Sequence, residues 1–254
     1  MMNRFILAVQ FLTVFPIKKD VPPARSELAA SMAYFPLVGA VQGVILVAAY
    51  LLLALALPEG VSTALLLAIL VLTNGALHID GYADTIDGLA GGGTPEERLR
   101  IMRDSSVGAV GVVFVALLLL VKYSALMEVA PGVKARVLFI FPAAGRWAMV
   151  PMACWARYAR EGSGLGGAFT ENSRATLLIA TVIMAVLTVL ALGIFSLLLL
   201  FIIGSAVYLI TLFFRKRLGG VTGDVFGFQS EVAEALFLVL FLILSKALEA
   251  SSWR

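Results

Sequence analysis

His78-Ile79-Asp80-Gly81-Tyr82-Ala83-Asp84-Thr85-Ile86-Asp87-Gly88 follows directly on an apolar run, Val61 to Leu77, and holds three carboxylates and the chain's single histidine. Written on a helix, Asp80, Asp84 and Asp87 stand at i, i+4 and i+7 and share one face. His78 lies off that face and has to reach in from the helix entrance. Three like charges on one face repel one another, so helix propensity does not explain them. A hard divalent cation does, because Mg²⁺ is held by one or two carboxylates together with substrate phosphates. A solvated, acidic, glycine-rich loop between two membrane spans would carry the same composition. Charge packed against the end of a hydrophobic span is costly, however, and marks function.

Working outward, the chain is 254 residues long and 61% hydrophobic, with only 14% charged residues and a mean hydropathy of +1.01. Several apolar runs reach roughly 18 residues, enough to cross a hydrocarbon core. The runs are continuous rather than alternating, which excludes a β-barrel. The reading is an all-α, polytopic integral membrane protein. A net charge of +3 says little about nucleic acid, and no nucleic-acid partner is expected; the basic residues are better read as topology signals. Cys154 is alone, so there is no disulfide framework, and it reads as a small core residue. Lys18-Lys19 follows Pro16 with no small-residue cleavage site, so the N-terminus is not read as a cleaved signal peptide.

Seven spans are expected, in a single membrane-embedded catalytic domain over 1–254. Residues 1–31 form an interfacial segment whose first apolar run stops at Pro16. The spans run about Met32–Leu57, Val61–Leu77, Val107–Leu126 and Val137–Trp155, then two within Ala175–Phe214 divided near Gly193, and Val232–Leu248. Gly39-x-x-x-Gly43 in the first span permits close helix contact. Polar loops fall at about 78–106, 156–174 and 215–231. In the first of them Gly91-Gly92-Gly93 ends the acidic helix. Thr94-Pro95-Glu96-Glu97 then starts a short helix with an N-cap, a proline at its first position and a capping box.

With the N-terminus in the cytoplasm, Lys and Arg partition strongly. Arg4, Lys18, Lys19, Arg25, Arg98, Arg100, Arg103, Arg157, Arg160, Arg174, Arg215, Lys216 and Arg217 fall inside; Lys134, Arg136 and Arg254 fall outside. Lys122, Arg146 and Lys246 lie within spans, Lys122 as a snorkelling residue and Arg146 facing protein or water. All three polar loops then share the cytoplasmic face. A one-sided cluster suits an enzyme supplied from the cytosol, whereas a transporter needs a path to both sides.

The loops carry the acidic stretch, a basic set (Arg98, Arg100, Arg103, Arg157, Arg160) and a second acidic set. In the last, Asp224 is followed by Glu231 and Glu234, which share a helix face. Carboxylates, Mg²⁺ and arginines are the parts of phosphoryl transfer. The metal bridges phosphate oxygens, the arginines offset phosphate charge, and a carboxylate or His78 takes the proton of an attacking hydroxyl. The bland readings are topology anchors for Arg215, Lys216 and Arg217 and helix-start charges for Glu231 and Glu234. Asp84-x-x-Asp87-Gly88 also echoes the motif of membrane phosphatidyltransferases that use CDP-alcohols, but Gly91-Gly92 stands where that motif has Ala-Arg.

The long motif His78-x-Asp80-Gly81-x-Ala83-Asp84-x-x-Asp87-Gly88 resembles the signature of cobalamin synthases, the adenosylcobinamide-GDP ribazoletransferases. The similarity runs from Phe35-Pro36-Leu37-Val38-Gly39 through Arg98-x-x-Ile101-Met102-Arg103-Asp104-Ser105. It continues through Gly145-Arg146 and Tyr158-Ala159-Arg160-Glu161-Gly162 to Gly219-Gly220-x-Thr222-Gly223-Asp224, Glu231 and Glu234. Asn74, Phe228 and Gln229 depart from it, standing where smaller residues are usual. The resemblance implies a bacterial or archaeal cytoplasmic-membrane enzyme of cobalamin biosynthesis that uses Mg²⁺. It would join adenosylcobinamide-GDP to α-ribazole, or its 5′-phosphate, with loss of GMP. It implies Asp80, Asp84 and Asp87 as metal ligands and His78, Asp84, Asp87 and Asp104 in catalysis. Arg98, Arg103, Arg160, Asp224, Glu231 and Glu234 are then the substrate contacts. Membrane lipid surrounds the protein, and a homo-oligomer is compatible with the sequence.

Overall fold

Apolar runs that must satisfy every backbone polar group internally fold as helices, and the computed structural model is built of them. It describes residues 2–17, 24–104, 106–160 and 165–251. The expectations placed on Lys18, Lys19, Ser105, Glu161, Gly162 and Arg254 lie outside these. Among the described residues the order is α1 (Met2–Leu12), α2 (Arg25–Ser31), α3 (Phe35–Leu53), α4 (Glu59–Thr73), α5 (Leu77–Gly91) and α6 (Pro95–Ile101). There follow α7 (Ala109–Glu128), α8 (Pro131–Trp155), α9 (Leu165–Phe169), α10 (Arg174–Leu192), α11 (Leu197–Leu218) and α12 (Gly223–Ser251).

Among the described residues six helices are long and apolar enough to cross a membrane, or seven if the bent pair α4 and α5 counts as one span. The protein is therefore an integral membrane protein of the expected class. Several boundaries move: the first span begins at Arg25, because α2 runs into α3 through the 3-10 turn Met32–Tyr34, the fourth begins at Pro131 rather than Val137, and the last at Gly223 rather than Val232.

The hub is α8. Every residue from Ile140 to Ala153 is buried, under α3, α10, α11 and α12. Gly39 and Gly43 do what their spacing predicts: each brings α3 against the α8 backbone, at Ala143 and Phe139, where a Cβ has no room. Burying small residues this way lets dispersion contacts replace the hydrophobic drive that lipid cannot supply.

The decisive irregularity lies between α4 and α5, which meet at 88°. Gly75 (φ 62°) and Ala76 (φ 60°) are both left-handed, and Ala76 is the one such non-glycine among the described residues. The expected second span, Val61–Leu77, thus stops at Thr73, and the acidic stretch turns away from it as a separate helix. The exit of α1 braces the corner, Val14 N–H donating to the Thr73 carbonyl at 3.0 Å.

Candidate functional site

The acidic stretch is helical, so Asp80 and Asp84 stand on one face as the spacing requires. What holds α5 in place is a seam with the start of α12. A Cβ on Gly81 would stand 2.8 Å from the Asp224 carbonyl oxygen, and one on Gly227 3.0 Å from that of His78. The two helices pass in opposite chain directions, backbone nearly on backbone. Tyr82 stacks flat on Phe228 at 5.3 Å beside the seam. Phe228, a departure from the family pattern, supplies a ring that a smaller residue would not. Asp80 is exposed and Asp84 half-buried. Asp84 lies in the field of Asp80, Asp224 and Asp87, with Arg160 the opposing charge.

Asp87 is differently used. Its Oδ2 accepts from Gly108 N–H and its Oδ1 from Gly111 N–H, each at 2.8 Å. Both donors are orphan amides at the start of α7, where a negative charge is stabilised by the helix dipole. Asp87, expected beside a metal with Asp80 and Asp84, ties α5 to α7 through these two bonds.

Two loops close over this end. Val221 pairs with the strand-like segment Arg157 to Ala159 through two backbone hydrogen bonds at 2.9 and 3.0 Å. The bridge delivers Arg160 to Asp224: Nη2 donates to Oδ2 at 2.6 Å. Arg160 is thereby paired with Asp224 and within electrostatic reach of Asp84. Arg98 donates instead to the Arg217 carbonyl at 3.1 Å, joining α6 to the end of α11. Arg103 and Asp104 are exposed just beyond α6. Asp104 accepts from Ser106 Oγ at 2.7 Å and Ser106 N–H at 3.0 Å, which hold its carboxyl below the usual range. No described contact brings Arg103 or Asp104 to Asp84.

The capping box forms as written. Thr94 Oγ1 accepts from Glu97 N–H, and Glu97 accepts from the Thr94 and Gly93 amides, which lower its pKa.

Glu231 and Glu234 are not on the open surface where the sequence reading put them. Both are buried, and Lys122 Nζ donates to Glu231 at 2.5 Å and to Glu234 at 2.6 Å. Arg146 Nη1 adds a 2.5 Å bond to Glu234 and one of 2.8 Å to Ser230. Lys122 does not snorkel; it is 2% exposed. With charges this deep, each side chain must find a partner inside the protein. The network joins α7, α8 and α12, about 12 Å along α12 from its start at the rise of a helix. His78 is buried above it, and neither ring nitrogen has a hydrogen-bond partner among the described residues. Cys154, read as core, is only half-buried.

Could these residues hold Mg²⁺? Among the described residues no three His, Cys, Asp or Glu side chains converge as a ready cage. Asp80 and Asp84, one helical turn apart with Asp224 beside them, fit the open mode, in which one or two carboxylates hold the ion and phosphate oxygens complete its shell.

The chain matches the family described as Cobalamin-5-phosphate synthase over residues 4–242. It is 40% identical over 240 residues to an adenosylcobinamide-GDP ribazoletransferase of Geotalea daltonii, covering 94% of this chain and 96% of that one. A protein of the same name from Desulforamulus reducens is 38% identical over 245 residues, with 96% and 97% covered. No solved structure matches.

Proposed function

The chain belongs to the cobalamin-5-phosphate synthase family, and from that premise we propose that it is an adenosylcobinamide-GDP ribazoletransferase. The acceptor is α-ribazole or its 5′-phosphate, and the product is adenosylcobalamin or its 5′-phosphate. A hydroxyl of the acceptor attacks the phosphorus that carries the corrinoid. The new P–O bond forms as the bond to the pyrophosphate's bridging oxygen breaks, GMP departs with that oxygen, and the hydroxyl proton passes to a base.

The observation that supports this chemistry is the seam between α5 and α12. It sets the Asp80 and Asp84 carboxylates beside the Arg160–Asp224 pair at one end of the bundle. Asp80 and Asp84 would hold Mg²⁺, which when bound offsets phosphate charge. Arg160 is placed to exchange Asp224 for a phosphate, a charge-assisted swap that needs little rearrangement. Asp84, half-buried and crowded by other carboxylates, is the proton acceptor we favour over His78, which is shut inside the protein. The excess of basic residues in the loops at this end supports a cytoplasmic-facing site in a bacterial or archaeal cytoplasmic membrane.

Purified protein given adenosylcobinamide-GDP, α-ribazole and Mg²⁺ is expected to release GMP and adenosylcobalamin one for one. No product with either acceptor, or CMP release from a CDP-alcohol, overturns the proposal.

A further inference from the structure

Beyond the acidic seam, the same end of the bundle carries a second basic site. A cavity of about 540 Å³ opens between the ends of α8 and α11, lined by Trp155, Arg157, Leu212, Arg215, Lys216 and Gly219. Three cations therefore border one cavity, with no carboxylate in its wall among the described residues. Arg157 uses its Nε on the Gly219 carbonyl at 2.8 Å, and no ion pair engages any of the three among the described residues. Arg217 next door lies instead over the Phe213 ring.

A topology anchor needs no cavity. The second observation is what adjoins this one. Trp155 also borders an apolar groove of about 600 Å³ between α8, α10 and α11, walled by Leu200, Phe201, Gly204, Tyr208 and Leu209. Trp155 meets Tyr208 edge to face at 5.5 Å, so one amphipathic ring pair divides a charged chamber from an apolar channel. Phe201, Tyr208 and Leu209 are exposed to 71%, 48% and 64% along that channel. A cationic chamber at the end of two spans, an interfacial Trp and Tyr beneath it, and an apolar furrow running on along the helices match a headgroup, a glycerol level and an acyl chain.

We infer that this site binds one anionic phospholipid, its phosphate held by Arg157, Arg215 and Lys216 and one acyl chain laid along α11 past Gly204. Its lining shares no residue with Asp80, Asp84, Arg160 or Asp224, and so it is distinct from the proposed transfer site.

The test is native mass spectrometry of the full chain in detergent micelles doped with phosphatidylglycerol or, at equal mole fraction, phosphatidylcholine. The wild type should retain phosphatidylglycerol preferentially. R215Q/K216Q should weaken that retention by roughly five-fold per cation removed, with phosphatidylcholine unaffected. G204L probes the channel without touching charge; a Cβ there meets only the Trp147 ring at 3.5 Å, ordinary contact. It should reduce retention of both lipids. Equal retention of the two lipids by the wild type, or an unchanged preference in R215Q/K216Q, overturns the inference. So does displacement of phosphatidylglycerol by GMP, which would make the chamber a nucleotide site.

Discussion

Gly81 on α5 faces Asp224 on α12 so closely that a Cβ would stand 2.8 Å from the Asp224 carbonyl oxygen and 2.9 Å from its Cα. Neither atom can move without carrying α12 along, so the first acidic set is registered against the second by the absence of a side chain. Gly81→Val is expected to keep the protein in the membrane yet cost turnover on the order of 100-fold, as displacement of about 1 Å does at a reacting centre. Initial-rate kinetics on detergent-purified variant would show it; wild-type kcat in Gly81→Val would mean the seam does not set the site.

Asp87 and Asp84 are separable. Asp87 holds two amides of α7, so Asp87→Asn, which leaves an NH₂ facing one of those donors, should lower stability by roughly 2 kcal/mol. Its activity should fall without any change in the Mg²⁺ dependence of what remains. A shifted Mg²⁺ midpoint in Asp87→Asn would return that residue to the metal.

The buried network gives a third prediction. Lys122→Met strands the buried Glu231, while Glu234 keeps Arg146, and is expected to destabilise by about 3–5 kcal/mol. Lys122→Met/Glu231→Met leaves Glu234 paired with Arg146 and should recover most of that loss, because a buried pair replaced by apolar groups is close to neutral. Thermal unfolding in detergent checks both. No recovery in the double variant would mean that Glu231 does something besides balance Lys122.

At the other end of the energy scale is the cap of α6. Thr94→Ala should cost about 1 kcal/mol, read as faster hydrogen exchange across Pro95–Ile101. Glu97 is bound most tightly as the anion, so its folded-state pKa is depressed. Its contribution is complete above the ordinary carboxylate range, about 4.3, and fades as pH falls through the lower folded value. Glu97→Gln should abolish that acid-side dependence of α6 protection.

Much of this was written in the residues. Continuous apolar runs gave the class of fold, Gly39 and Gly43 a close helix contact without its partner, and Thr94-Pro95-Glu96-Glu97 the α6 cap in full. These are local signals, set by chemistry within one or two turns. The corner at Gly75-Ala76 was not legible, because left-handed Ala76 is disfavoured locally and is held by packing, including the exit of α1. Nor was the burial of Glu231 and Glu234, which depends on a lysine and an arginine far away in the chain. A signal existed even so: Lys122 and Arg146 lie within apolar spans, and charges at that depth require partners. The tie from Asp87 to α7 was not legible either, since its spacing is the same whether the face holds a metal or caps a neighbouring helix.

The central claim is that Asp80 and Asp84 on α5, opposite Arg160, carry Mg²⁺-dependent transfer from adenosylcobinamide-GDP. It is tested most directly by a Mg²⁺ titration of GMP release in wild type and Asp84→Asn, side by side in the same detergent. The account predicts wild-type release that EDTA abolishes. Asp84→Asn should lose at least about 100-fold in rate, the lower end of what a general base and ligand supply, with its residual midpoint moved to higher Mg²⁺. Full activity of Asp84→Asn at limiting Mg²⁺, or wild-type turnover that survives EDTA, would contradict it.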